Sequence, residues 1–322
     1  MQTDPISASE RVQLLDILRG IAIFGMFTVN MTADIWWGDL YIDAELGSAD
    51  FASMLFVNLL ANGKFITIFS FLFGIGFLVQ AQRQESRGGS VAVFWTRRLA
   101  GLLMIGALAN AFTLPAWILV DYGMFGFGLL LFYKLRPRAI LMAALACIVF
   151  AKIFGSIIPS YTEAPETMIA ATPTVLDAIH ESREFLQREG DFLDLAANSI
   201  LHMALEIANW RYFVGDIDIL GLMLLGLYIA RRGAIWDRDV QISIARKTLP
   251  WLLGIGFLGC VIWIAMDTFG LGDESSIHHG VISGLAAWPI GTRMLGLGYV
   301  AAITLLISQE AWQKRLAPFA AV

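Results

Sequence analysis

The sequence predicts an all-α polytopic membrane protein: a bundle of about eight transmembrane helices with an outer amphipathic helical loop. Three observations predict it. Hydrophobic residues make up 57% of the 322-residue chain and charged residues 15%, where a soluble domain carries about 25% charged residues. Mean hydropathy is +0.68. Apolar runs long enough to cross a bilayer recur along the chain, and the short connections between them alternate in charge. The formal net charge is −5, with no polybasic tail, so nucleic acid is not an expected partner. Disorder and a collagen-like fold are excluded by the same composition.

The apolar runs lie near 13–33, 64–82, 99–118, 120–134, 138–158, 213–231, 248–267 and 290–308. Each is read as one span of a single membrane-embedded domain, residues 1–322. The run 120–134 is short and needs its flanks to cross. The first run carries Asp16 and Arg19 and precedes no small-residue cleavage site, so it is read as a retained helix rather than a leader. Cys147 and Cys260 sit inside apolar runs and read as small buried hydrophobes, with no disulfide framework.

Basic connections follow the second, fourth, sixth and eighth runs: Arg83, Arg87, Arg97 and Arg98; Lys134, Arg136 and Arg138; Arg231, Arg232, Arg238, Arg246 and Lys247; Lys314 and Arg315. Acidic residues mark the others, including Asp34, Asp39, Asp43, Glu45 and Asp50, then Asp121, then Asp267, Asp273 and Glu274. Positive residues stay inside. The expectation is a multi-pass membrane protein with its N-terminus in the cytoplasm.

Residues 159–212 form the one long connection, on the outer side. Pro159 to Pro173 reads as loop. Beyond it, Leu193, Ala197, Ile200, Ala204 and Ile207 recur at spacings of three and four, which predicts an amphipathic helix at the membrane surface. It either caps the bundle or forms a lid over an outward-facing site.

Polar residues within the runs are the candidates for chemistry. Asp16 and Arg19 share a helical face, continued by Ile23, Met26 and Asn30. They are a structural ion pair or an anion site facing a hydrated cavity. Lys64 enters the second run from outside and either snorkels to the headgroups or serves the site. Gly74 and Gly76 read as close helix packing. Gly123, Gly126 and Gly128 do not form a dinucleotide fingerprint. Asp121, Asp216 and Asp218 are solvated helix ends or members of a buried site. His180, His202, His278 and His279 lack a third ligand at metal spacing, so no metal site is expected; His202 reads as a satisfied interfacial histidine, with a base as the alternative.

Several segments resemble the YeiB-like bacterial membrane proteins, domain-of-unknown-function family 418. They are Arg11-Val12-Gln13-Leu14-Leu15-Asp16-Ile17-Leu18-Arg19-Gly20 with Val29-Asn30; Lys64-Phe65 with Phe69-Ser70 and Leu72-Phe73-Gly74-Ile75-Gly76-Phe77; Arg97-Arg98-Leu99 and Asp121-Tyr122; and Leu220-Gly221-Leu222-Met223-Leu224-Leu225-Gly226. The likeness covers nearly the whole chain. It implies a place among the transmembrane acyltransferases, which include the acyltransferase-three proteins and heparan-glucosaminide acetyltransferase. Those relatives move acyl groups from a cytoplasmic donor to an acceptor in or beyond the membrane. Their early histidine has no counterpart here: Asn30 stands where one relative group has it. The family pattern continues past Ala317-Pro318-Phe319, so the resemblance implies a C-terminally shortened chain.

The expected function is therefore acyl or related group transfer to a lipid or envelope acceptor. Asp16, Arg19, Arg97 and Arg98 form an inner layer suited to a phosphate-bearing donor. Asn30, Lys64, Asp121, Asp216 and Asp218 form an outer layer, the catalytic candidates, suited to an acceptor that must lose a proton. No bound cofactor is expected, with acyl-CoA as co-substrate. Membrane lipids are the expected partners, with a lipid or envelope glycan as substrate. The alternative is a transporter of small anionic or polar solutes whose path joins the same two layers. A third reading is a non-catalytic membrane scaffold.

Overall fold

A computed structural model describes residues 8–36, 48–111, 117–161, 192–208, 210–269 and 290–321. The described residues are helical throughout, with no strand among them. In chain order the helices are α1 (Ala8–Trp36), α2 (Ala49–Leu60), α3 (Lys64–Ser86), α4 (Val91–Ala111), α5 (Trp117–Phe125), α6 (Gly128–Phe132), α7 (Pro137–Tyr161), α8 (Phe192–Ala208), α9 (Trp210–Arg231), α10 (Arg238–Phe269), α11 (Thr292–Ile307) and α12 (Glu310–Leu316). Single 3-10 turns cover Ala234–Trp236 and Ala317–Ala321.

Caps explain why several helices outrun the apolar windows. The Asp237 carboxylate accepts from the backbone N–H groups of Asp239 at 2.9 Å and Val240 at 3.1 Å, so α10 starts ten residues before the apolar run. Ser90 closes the first turn of α4 by accepting from Phe94 N–H at 3.1 Å, eight residues before the predicted start of the third run. Hydropathy marks where a helix meets lipid; capping chemistry marks where it begins.

Three helical segments among the described residues are long and apolar enough to cross a membrane: Phe51–Ser86, Val91–Ala111 and Arg238–Met266. A fourth arises if Thr292–Ile307 and Glu310–Ala320, bent by 117°, count as one. The predicted fourth span is two short helices, because α5 stops at Phe125 and α6 resumes at Gly128. A Cβ on Gly126, within that break, would meet the Tyr122 carbonyl at 2.5 Å and Leu99 at 2.7 Å. Helix α2 lies outside the predicted spans. Its N-cap Ser48 accepts from Phe51 N–H at 3.1 Å, and it ends where Gly63 takes φ +76°, a turn only glycine makes without strain.

Helices α3 and α9 form the centre, with α7 against α9 and α11 between α3 and α10. The close approach of α3 and α9 is reciprocal. A side chain on Gly74 would collide with the Met223 carbonyl, and one on Gly226 with the Phe71 carbonyl. This is the small-residue packing by which helices associate without a hydrophobic driving force between them. Leu72, Phe77, Trp95, Leu99, Met223 and Leu224 fill the interior. The outward faces carry Phe24, Phe27, Met104, Leu131, Met142 and Trp251, each more than half exposed. Apolar exposure on that scale is covered by lipid in a membrane protein.

The stripe on α8 has its most exposed members pointing outward. Leu193 is 71% and Ile200 46% exposed, while Ser199 is buried and Met203 receives the Asn110 amide of α4. The stretch Pro159 to Pro173 is helical as far as Tyr161, and the rest of it lies outside the described residues.

Candidate functional site

Two polar layers sit inside this apolar bundle, at opposite ends of α3. Lys64 opens the helix and Gly76 lies twelve residues on, about 18 Å along the axis.

The layer at the acidic end gathers four of the five catalytic candidates. Lys64 is 0% exposed and its Nζ donates to the Asn58 carbonyl at 2.6 Å. It does not snorkel: its Nζ turns inward to a carbonyl of α2 rather than out to the headgroups. The Cys260 thiol is a hydrogen-bonding neighbour. Asp218 is 0% exposed, so it is no solvated helix end. Its Oδ2 accepts from Arg293 Nε at 2.9 Å. The same guanidinium donates to the Gly63 carbonyl at 3.2 Å and to Thr67 Oγ1 at 3.4 Å. Arg293 thereby holds the starts of α3 and α11 against α9. Asp216 and Tyr122 act on Arg293 electrostatically, and Asp121, 6% exposed, acts on Tyr122. Tyr122 Oη lies 3.0 Å from Ser70 Oγ and donates to the Ile66 carbonyl at 3.1 Å.

Arg293, Tyr122, Thr67 and Ser70 were not among the sequence-derived candidates. Arg293 carried a signal: it is a lone charge at the start of an apolar run, on the end where acidic residues prevail. A buried carboxylate such as Asp218 requires a counter-charge. Asn30 belongs to α1, and its side chain lies outside the described set, as does that of His202. His180, His278 and His279 fall in stretches outside it.

The layer at the basic end centres on α1, α3 and α4. Arg19 donates to Asp16 at 3.1 Å on the same face, as the spacing predicted, with both side chains part-exposed. Arg19 also reaches α3, where a Cβ on Gly76 would stand 3.2 Å from its NH2. Arg98 donates to Gln80 Oε1 at 2.8 Å and lies 5.7 Å over the Trp95 ring. Arg97 and Arg98 line an open groove of about 570 Å³ with Gln84, Ser90, Val93 and Phe94. The predicted continuation of the Arg19 face does not line the interior. Ile23 is 42% exposed, and Leu18 and Ala22 face the core instead, with Gly25 against the Phe65 ring.

An aromatic column fills the space between the layers. Phe69, Phe73 and Phe77 recur every four residues on α3. Tyr122 packs against Phe69 and Phe73, Trp95 against Phe73 and Phe77, and Tyr133 against Phe77, with centroids 4.7–5.6 Å apart. Trp95 Nε1 donates to the Gly126 carbonyl at 3.0 Å, which spends the freed backbone acceptor at the break between α5 and α6.

Residues 11–187, more than half of the chain, match the family of the heparan-alpha-glucosaminide N-acetyltransferase catalytic domain. The chain is also 27% identical over 336 aligned positions to the uncharacterized protein YxaH of Bacillus subtilis, covering 99% of this chain and 78% of that protein. It is 33% identical over 154 positions to an uncharacterized 39.9 kDa protein of the amylase 3' region of Bacillus acidopullulyticus, covering 48% of this chain and 43% of that one. No solved structure matches it.

Proposed function

The chain belongs to the heparan-alpha-glucosaminide N-acetyltransferase catalytic family, and we propose that it is a membrane-embedded acyltransferase of YeiB-like type. In this reading it crosses the bacterial inner membrane about eight times, with its N-terminus in the cytoplasm. The observation that carries the proposal is the buried cluster of Lys64, Asp121, Asp218 and Arg293 inside apolar helices, with Asp216 half-buried beside it. Charges at such depth are costly, and in membrane proteins they mark functional sites.

The donor is an acyl-CoA that enters at the basic end. Arg19, Arg97 and Arg98 meet its phosphates, with Asp16 and Gln80 fixing the guanidinium planes. Its pantetheine arm must span the distance of about 18 Å along α3 to the second layer. The acceptor is a hydroxyl or amine of a lipid or envelope glycan. Asp218 is committed to Arg293, so it positions that guanidinium rather than taking a proton. Asp216, half-buried two residues earlier, takes the acceptor's proton as its oxygen or nitrogen attacks the thioester carbonyl. The bond to sulfur breaks, and CoA leaves as the thiolate. Lys64 and Arg293 stabilise the oxyanion of the tetrahedral intermediate.

The test is thermal stabilisation of the purified protein by a series of acyl-CoAs, paired with lipid and envelope-glycan mass spectrometry of a deletion strain. Stabilisation together with an acyl group missing from one lipid or glycan supports the reading. Stabilisation by small organic anions, none by any acyl-CoA and an unchanged acyl inventory would replace it with the transporter.

A further inference from the structure

At the level of the basic-end layer, α1, α3, α9, α10 and α11 line an open cavity of about 280 Å³. We propose that it is a binding site for one acyl chain of a bilayer phospholipid, drawn from the leaflet on the basic side and favouring anionic headgroups. The proposal does not rest on the acyl-transfer reading.

The chemistry of the walls decides what enters. Leu18, Ile75, Ile229, Leu252, Leu297 and Ala301 supply apolar surface from all five helices. Three lining side chains carry polar atoms that matter, and each is already bonded to nearby backbone. Thr248 donates to the Ile244 carbonyl at 2.9 Å, Thr304 to the Val300 carbonyl at 2.7 Å and Gln241 to the Ile235 carbonyl at 2.8 Å. Water needs two to four polar partners to occupy a cavity and finds few here, so the space favours hydrocarbon. An engineered dry cavity of about 150 Å³ holds a benzene ring. This one has nearly twice that volume, room for a hydrocarbon chain of about ten carbons. Packing at ordinary interior density does not leave such a space empty.

The mouth identifies the source. Ile244, on the α10 wall, is 37% exposed, and the lipid-facing residues Trp251, Ile255 and Leu258 follow it at 69%, 42% and 59%. The cavity therefore has a lateral opening on the face that α10 turns to lipid. Lys247 is exposed and stands one turn before Trp251, toward the basic connection. An aromatic ring with a lysine beside it is the arrangement found at headgroup level. Arg246 is its exposed neighbour. The acidic groups nearest along α10 are Asp237, whose carboxylate caps the helix, and Asp239, two turns away from Lys247. A single chain in the cavity thus puts its phosphate beside two cations.

The test uses the purified full chain. Native mass spectrometry of the wild type after mild detergent exchange is expected to retain one phospholipid per protein, richer in phosphatidylglycerol than the host membrane. Delipidated protein is expected to gain more thermal stability from phosphatidylglycerol than from phosphatidylcholine. That preference should vanish in Arg246→Gln/Lys247→Gln, which alters no wall of the cavity. Ala301→Phe, which fills the cavity, should retain no lipid and gain no shift. Ala245→Phe, on the opposite wall, is the second filling variant should the first fail to fold. A wild type that retains no lipid, or filled variants that retain lipid as the wild type does, would overturn the proposal. Retention of a fatty acyl-CoA in place of phospholipid would overturn its source.

Discussion

Arg293 on α11 donates to Asp218 on α9 at 2.9 Å across 75 residues of sequence, with the carboxylate wholly buried. Replacing Arg293 with Leu strips that carboxylate of its guanidinium. Loss of one partner of a buried pair costs about 3–5 kcal/mol, whereas an apolar pair of similar volume is close to neutral. Arg293→Leu is therefore expected to unfold in detergent at markedly lower temperature. Asp218→Leu/Arg293→Leu should recover most of the loss while remaining inactive. If the double variant is destabilised by the sum of the two single changes, the pair is not a unit.

Asp16 and Arg19 are bonded at 3.1 Å but keep 31% and 41% of their side chains exposed. Solvated pairs of this kind couple by about 0.2–1 kcal/mol. A double-mutant cycle on expression level and unfolding should show Arg19→Ala harming the protein more than Asp16→Ala/Arg19→Ala does. The coupling should be several-fold smaller than that of Asp218 with Arg293.

Stabilisation by acyl-CoA should depend on Arg98. At a ligand concentration 100 times the dissociation constant, linkage gives about 2.7 kcal/mol. Arg98→Ala should remove most of that shift. Arg98→Lys should restore part of it, since an ammonium does not reproduce a bidentate phosphate contact. Arg232→Ala is the control, on an exposed turn. Arg238 is unsuitable because it donates to the Ser308 carbonyl at 2.9 Å. Equal loss in Arg98→Ala and Arg232→Ala would mean a diffuse charge effect and no site.

Gly74→Val places methyl groups where the Met223 carbonyl now lies. The α3–α9 seam must part, and aggregation or a large fall in thermal stability is expected. Gly101→Ala on α4 meets nothing within 4 Å. It should be neutral or stabilising by about 0.4–1 kcal/mol, from reduced freedom of the unfolded chain. The pair of measurements separates packing from helix propensity.

Membrane orientation is checked in a background lacking Cys147 and Cys260. Arg87→Cys should react with an impermeant maleimide only from the cytoplasmic side. Glu166→Cys should react only from outside. Labelling of both from one face would overturn the eight-span count.

Composition and hydropathy determined the class of this protein, because a chain with 15% charged residues cannot clothe itself for water. Charge sign sorted the polar residues into two layers, and helical spacing paired Asp16 with Arg19. Both are local properties: one reads a window, the other a single turn. Tertiary structure decided what each charge is for. Lys64 reads as a residue near a helix end and proves fully enclosed, because its amine turns to the Asn58 carbonyl with Cys260 of α10 beside it. Asp218 reads as either solvated or part of a buried site and proves clamped, and the choice was not local because its partner lies 75 residues away. The amphipathic stripe of α8 fixes the helix but not its facing, since apolar surface in a membrane is satisfied equally by lipid and by protein. Long-range pairing, close approach through glycine and the choice between lipid and neighbour as cover leave no periodic trace along the chain. They depend on which helices become adjacent, and that is settled by the bundle as a whole.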